Sequence, residues 1–164
     1  MQHIPKSDLH VHLGGSWPLE FLEAVADDPS DFSKFQSFLD QLHQKGDDTD
    51  YHICFEAFAL ASKIVNTIQK VQDGTCSMCR NFAEEGLCYM ELRTGLKNIM
   101  DTGYEAYLQA VMRGIEQGCE GTPLKVAILL SLKRNSSREL AQETLRLIKK
   151  YRGKVVGLDV SDDA

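Results

Sequence analysis

The chain has 164 residues, enough to bury one hydrophobic core and short for two domains. Its 43% apolar and 26% charged residues exclude wholesale disorder and collagen-like structure, and no apolar run approaches the about 20 residues that a membrane-spanning helix needs. Eighteen basic against twenty-four acidic residues leave a net charge of −6, which repels a phosphate backbone, so neither nucleic acid nor membrane is an expected partner. Met1 to Lys6 carries no apolar segment of the secretory kind, so the expected location is the cytoplasm.

Taken in order, the chain alternates strand-like and helix-like stretches. Ser7–Leu13 reads as a strand with Leu9, Val11 and Leu13 on one face and Asp8, His10 and His12 on the other, because side chains alternate along a strand. Gly14-Gly15-Ser16 breaks it, and Ser16 is placed to cap a short helix carrying Leu19, Phe21, Leu22 and Val25, which Asp27-Asp28-Pro29 stops. Phe32, Phe35, Phe38, Leu39 and Leu42 recur at helical spacing up to Gly46-Asp47-Asp48. A longer helix follows with Phe58, Ala61, Ile64, Val65, Ile68 and Val71 on one side, interrupted at Gly74 and resuming to Glu85 before Gly86.

Leu87–Arg93 reads as the second strand, Tyr104–Gln117 as a helix closed by Gly118, and Leu124–Leu132 as the third strand. Ser136 and Glu139 have capping-box spacing and open a helix whose apolar positions are Leu140, Thr144, Leu145, Leu147 and Ile148, with Gly153 just past its end. Lys154–Val160 is the last strand. This alternation is that of parallel βαβ units, and with no linker or repeat, residues 1–164 read as one α/β domain. The five cysteines are odd in number and lie in helix and strand patterns, which suits reduced thiols. Cys76 and Cys79 form a C-x-x-C with no second ligand pair and read as half-buried thiols one helical turn apart.

His10-Val11-His12 is the sharpest chemical feature, since histidines at i and i+2 near a strand end present both imidazoles to one side on a rigid platform for a metal. Two histidines on a solvated strand face are the plainer alternative. The glycine turn that follows the pair lets backbone approach a ligand closely, and the C-terminal end of a parallel strand is where such folds build sites.

Pro5–Ser16, with His10-Val11-His12-Leu13-Gly14-Gly15-Ser16, resembles the opening of the adenosine deaminase family, metal-dependent enzymes with a (β/α)₈ barrel. Phe82–Arg93 looks like that family's next helix and second strand, and Val155–Ser161 is similar to its fourth strand, in wording closest to the branch acting on N6-substituted adenosine monophosphate. The resemblance covers nearly the whole chain. It implies a TIM barrel of which about the first four strands are present, with His10 and His12 as ligands of one Zn2+. Phe55 and Phe58 fall in the family's purine and ribose pocket, although a place on a helix's apolar face suits them equally. Gly14 stands where relatives carry a side chain that contacts the ribose or its substituent. Arg93 and Asp159 match strand-end positions and are expected to hold loops rather than touch substrate.

The implied activity is hydrolytic deamination of adenosine or an N6-substituted adenosine monophosphate, with water attacking purine C6 and the amine leaving. The family's third histidine, proton-donating Glu, second active-site histidine and metal-binding Asp belong to strands five to eight. His3, His43 and His52 lie outside the strands, and no histidine follows residue 52. A (β/α)₈ barrel takes about 250 residues and at least about 200, so the chain is expected to be truncated. Asp162 stands where the family pattern has a substrate-contacting glycine. Two alternatives stay open: a catalytically inactive fragment or isoform acting as a binding or regulatory module, and a different amidohydrolase sharing the H-x-H strand, against which Tyr89–Arg93 argues. A half-barrel leaves apolar faces uncovered, which points to self-association.

Overall fold

The computed structural model describes residues 4–45 and 51–161. Its elements in chain order are β1 (Lys6–His12), α1 (Leu19–Val25), α2 (Pro29–Lys45), α3 (Tyr51–Ile64), α4 (Ile68–Glu84), β2 (Leu87–Gly95), α5 (Tyr104–Cys119), β3 (Lys125–Lys133), α6 (Arg138–Lys150) and β4 (Val155–Ser161). The four strands form one parallel sheet in the order β1-β2-β3-β4. A parallel pair needs a crossover, and the helices between strands supply it. His3, the Gly46-Asp47-Asp48 break and Asp162 fall outside the described residues.

The helix ends explain where the sequence reading misplaced boundaries. Ser16 does not cap α1; its Oγ donates to the His12 carbonyl at 2.8 Å, and Pro18 precedes the helix without a side-chain cap. The backbone of α2 starts where Asp28 Oδ1 accepts from the Ser30 N–H at 2.8 Å, with Pro29 in the first helical position. The expected single long helix is two, because the chain breaks at Val65-Asn66-Thr67 and Thr67 Oγ1 accepts from the Lys70 N–H at 3.1 Å. Gly74 is no interruption. It lies within α4, where an added Cβ would sit 2.7 Å from the Trp17 ring.

Gly118 likewise does not close α5, which runs to Cys119 and turns at Gly121 (φ +73°). Gly114 and Gly118 instead face α4, and a Cβ on either would stand 2.5 Å from a backbone oxygen, of Gln72 and Cys76 respectively. The absence of side chains at these two points lets α4 and α5 pack closely. Cys76 is half-buried as expected; Cys79 is fully buried, and the neighbouring Cys119 first, then burial, push its thiol pKa up. The α6 cap is Ser137, which accepts from the Leu140 N–H at 3.2 Å, while Ser136 Oγ accepts from the Lys133 N–H at 3.1 Å. Thr144 and Leu147 are buried on α6, but Leu145 is exposed.

The core lies between sheet and helices. Met90 and Leu92 of β2, Ile128 and Leu130 of β3, and Leu108 and Val111 of α5 are all 2% exposed or less. Tyr107 is buried with its hydroxyl 2.7 Å from Thr94 Oγ1, which satisfies both polar groups. The edge strands are less covered: Leu9 on β1 is 58% exposed although Val11 and Leu13, expected on the same face, are buried, and Val156, Leu158 and Val160 on β4 are 42–58% exposed. No helix among the described residues is long and apolar enough to cross a membrane.

Candidate functional site

The site begins with an irregularity in β1. Asp8 pairs with Met90 and Val11 with Leu92, so β1 spends one more residue than β2 between these points. Such a bulge leaves a residue out of the ladder and re-aims its neighbours. Asp8 Oδ1 accepts from the His10 N–H at 2.8 Å. The Leu9 carbonyl accepts from Arg93 Nη1 at 2.5 Å. Past the bulge the register is regular again, with His12 opposite Arg93.

This geometry brings His10 and His12 together as the sequence spacing requires. Their Nε2 atoms are 2.9 Å apart, with ring centroids at 4.9 Å and planes inclined by 40°. Asp8 is engaged with backbone and does not join the pair. The His12 pKa is lowered, first by burial and then by His10 and Arg93, with Asp159 opposing. That shift favours the neutral imidazole, the form that donates a lone pair to a metal. Among the described residues no third His, Cys, Asp or Glu completes a cluster with the two histidines.

A cavity of about 770 Å³ opens at the C-terminal ends of the strands. His12, Gly14 and Gly15 border it where β1 ends, Phe55 and Phe58 come from α3, and Arg93 lines it from β2. Phe55 is 51% and Phe58 44% exposed, so neither belongs to the helix's buried face. An added Cβ on Gly15 would meet Phe58 Cε1 at 2.7 Å, whereas at Gly14 it would meet nothing within 4 Å. Gly15 therefore sets how near the ring lies to the β1 turn, and Gly14 leaves open space.

Arg93 does hold structure as expected, through Leu9, but it also reaches the cavity. Its Nε is buried without a hydrogen-bond partner and lies 3.8 Å from Asp159 Oδ1. Asp159 Oδ2 accepts from Ser131 Oγ at 3.2 Å, so side chains of β2, β3 and β4 meet where Arg93 and Ser131 line the cavity.

The sequence reading missed Lys97, Lys133 and Ser62, all of which line the cavity. Lys97 Nζ donates to Ser62 Oγ at 2.9 Å, and burial lowers the ammonium pKa. Lys97 and Lys133 were findable, since each lies at or just past the C-terminal end of a strand. Ser62 had no such signal, being one polar residue on a helix.

The adenosine deaminase family model matches residues 5–164. An N6-methyl-AMP deaminase of Danio rerio is 29% identical over 175 residues, covering 99% of this chain and 48% of that protein. The apo structure of the N6-methyl-AMP deaminase from Arabidopsis thaliana superposes with a TM-score of 0.77 at 27% identity, over 98% of this chain and 50% of that one. An Arabidopsis ADAL structure complexed with GMP has the same TM-score at 28% identity, over 97% and 50% of the two chains. The fold is thus α/β, matching the first half of a (β/α)₈ barrel, and the chain spans about half the length of the relatives it matches. With the match running through all four strands, the chain belongs to the adenosine deaminase family.

Proposed function

We propose that this chain carries the metal-binding and purine-binding part of a deaminase site, and that the reaction served is hydrolysis at purine C6 of adenosine or an N6-substituted adenosine monophosphate. The carrying observation is the convergence of the His10 and His12 Nε2 atoms, 2.9 Å apart, with His12 lining the strand-end cavity. That spacing lets one ion with bonds of about 2.0–2.1 Å touch both nitrogens, and imidazole donors suit zinc among the first-row metals. His10 and His12 would hold it. When bound, a divalent ion supplies the Lewis acidity that makes water a nucleophile near neutral pH.

The chain's other residues bind and orient. Phe55 and Phe58 offer aromatic faces to a purine ring, and Gly14 leaves room beside it for the ribose. Arg93 fixes the bulged carbonyl and with it the direction of His10. In the overall reaction water forms the new C6–O bond, the C6–N bond breaks, and ammonia or the N6-substituted amine departs. The related N6-methyl-AMP deaminases support this reading by name.

A second reading has its own observation. Two histidines fall short of the three protein ligands typical of a catalytic zinc, and the described residues add no third. Under it the chain binds without turnover. Elemental analysis for zinc, with amine release from adenosine and N6-methyl-AMP, separates the two. Stoichiometric zinc and turnover, both lost in the His10→Ala/His12→Ala variant, support the deaminase; zinc with no amine released supports the binding module; absence of both sinks the metal-site reading.

A further inference from the structure

Three of the five cysteines gather where two crossover helices meet. Cys76 and Cys79 lie on α4 and Cys119 on α5. The helices touch at Gly118, where an added Cβ would stand 2.5 Å from the Cys76 carbonyl oxygen and 2.7 Å from Cys79 Cβ. At that contact α5 therefore faces the backbone of Cys76 but the side chain of Cys79. Cys119 is the next residue along α5 and packs against the core cluster to which Cys79 belongs. None of the three lines the strand-end cavity, so the deaminase reading leaves them unused.

Cys79 and Cys119 differ in access and in freedom. Cys79 is completely buried and Cys119 half-buried, so an oxidant arriving from solvent meets Cys119 first. Each also acts on the other: Cys119 is the leading cause of the raised Cys79 pKa, and Cys79 the leading cause of the lowered Cys119 pKa, with burial opposing in Cys119. The thiolate is the reactive form of a cysteine, and it falls on the accessible member. A disulfide needs a Cβ–Cβ separation of about 3.5–4.5 Å. Cys79 is held inside α4, whereas Cys119 is the last residue of α5, just before the turn at Gly121 (φ +73°). Helix ends fray, so Cys119 is the member that adjusts.

We propose that Cys119 and Cys79 form a hydroperoxide-responsive dithiol, in which Cys119 is oxidised first and Cys79 resolves it to a disulfide that fastens α4 to α5 in the native packing. With hydrogen peroxide, the Cys119 thiolate attacks one oxygen, the O–O bond breaks, and the departing hydroxide takes up a proton, leaving a sulfenic acid and one water. The Cys79 sulfur then attacks the Cys119 sulfur. The S–S bond forms, the S–O bond breaks, and the hydroxide leaves as a second water with the Cys79 proton. Overall the two thiols lose two electrons and two protons, and the peroxide is reduced to two waters.

Peptide mapping of the whole chain after hydrogen peroxide treatment, with remaining thiols blocked and no reductant, tests it. Trypsin should yield residues 71–80 joined to residues 114–125, lighter by two hydrogens than the separate peptides and released by dithiothreitol, with fragmentation placing the bond at Cys79. The same link should form in Cys76→Ser. In Cys119→Ser, shown by circular dichroism to be folded, Cys79 should stay reduced. Because the bond closes a loop of about 40 residues, the oxidised chain should melt about 5 °C or more above the reduced one. Sulfinic acid on Cys119 with Cys79 still reduced, or no oxidation of either, overturns the dithiol. A bond from Cys119 to Cys76 or to a second copy of the chain overturns the pairing, and oxidation of Cys79 in folded Cys119→Ser overturns the order of events. A link that fails to raise the melting temperature overturns the claim that the native packing accommodates it.

Discussion

Arg93 on β2 holds the carbonyl oxygen of Leu9 on β1 at 2.5 Å, across 84 positions of sequence. The carbonyl is free because the bulge takes Leu9 out of the regular ladder, and the next residue is His10. Arg93→Met is expected to cost about 1.5–3 kcal/mol, the range for a hydrogen bond to a charged group. It should also weaken zinc binding by the histidine pair, because His10 loses its fixed backbone. Urea denaturation and a competitive zinc titration measure the two effects. An unchanged zinc affinity would show that the bulge holds its shape without Arg93.

Zinc itself should stabilise the fold. An ion that binds only the native state contributes about 2.7 kcal/mol when present at 100 times its dissociation constant. The melting temperature of the chain should therefore rise with added zinc and fall back with a chelator. The His12→Ala variant should melt alike with and without zinc, and a rise equal to the parent's would place the ion elsewhere.

The contact between α4 and α5 gives a sharper packing test. Gly114→Ala gains helix propensity of about 0.8–1.0 kcal/mol, but the new Cβ would stand 2.5 Å from the Gln72 carbonyl oxygen. Backbone cannot step aside as a flexible side chain would, and overpacking costs about 1–3 kcal/mol. The variant should be less stable than the parent in urea. Gly14→Ala, with no atom within 4 Å of its Cβ, should stay within about 0.5 kcal/mol of it.

Glu105 predicts a pH dependence. Hydrogen bonds from Arg146, Lys150 and Tyr151 hold its carboxyl pKa down at about 2. An unfolded glutamate titrates near about 4.3, so the folded state favours the carboxylate. The stabilisation is fully present above that unfolded value and is lost as pH falls through it towards about 2. Melting curves should show the parent above Glu105→Gln at neutral pH and the gap closing as the pH falls through that window. A gap that stays constant would show that Glu105 acts through packing alone.

The four strands, the crossover helices and the histidine pair were legible in the sequence because each rests on a short-range pattern. Strand-favouring residues mark β2 and β3, and i, i+2 spacing puts His10 and His12 together on an extended strand. What went wrong depended on contacts between distant residues. Ser136 and Ser137 are chemically alike, and only the turn after β3 decides which of them caps α6. Gly74 and Gly118 look like breaks until the rings and backbone packed against them are visible. Leu9 parts from Val11 and Leu13 because a bulge at the sheet edge interrupts the alternation expected along β1. The strand-end place of Lys97 is legible, but its hydrogen bond to Ser62 on α3, 35 positions away, is not.

The parallel sheet constrains how it can be extended. β1 and β4 lie at its two edges, and a strand continuing the parallel ladder at either must run in the same direction as its neighbour. A hairpin cannot deliver two such strands, because its own strands run in opposite directions. Val156, Leu158 and Val160 further require that a strand laid beside β4 bring apolar cover for the same face. Parallel growth from this sheet therefore proceeds in whole strand-and-helix units.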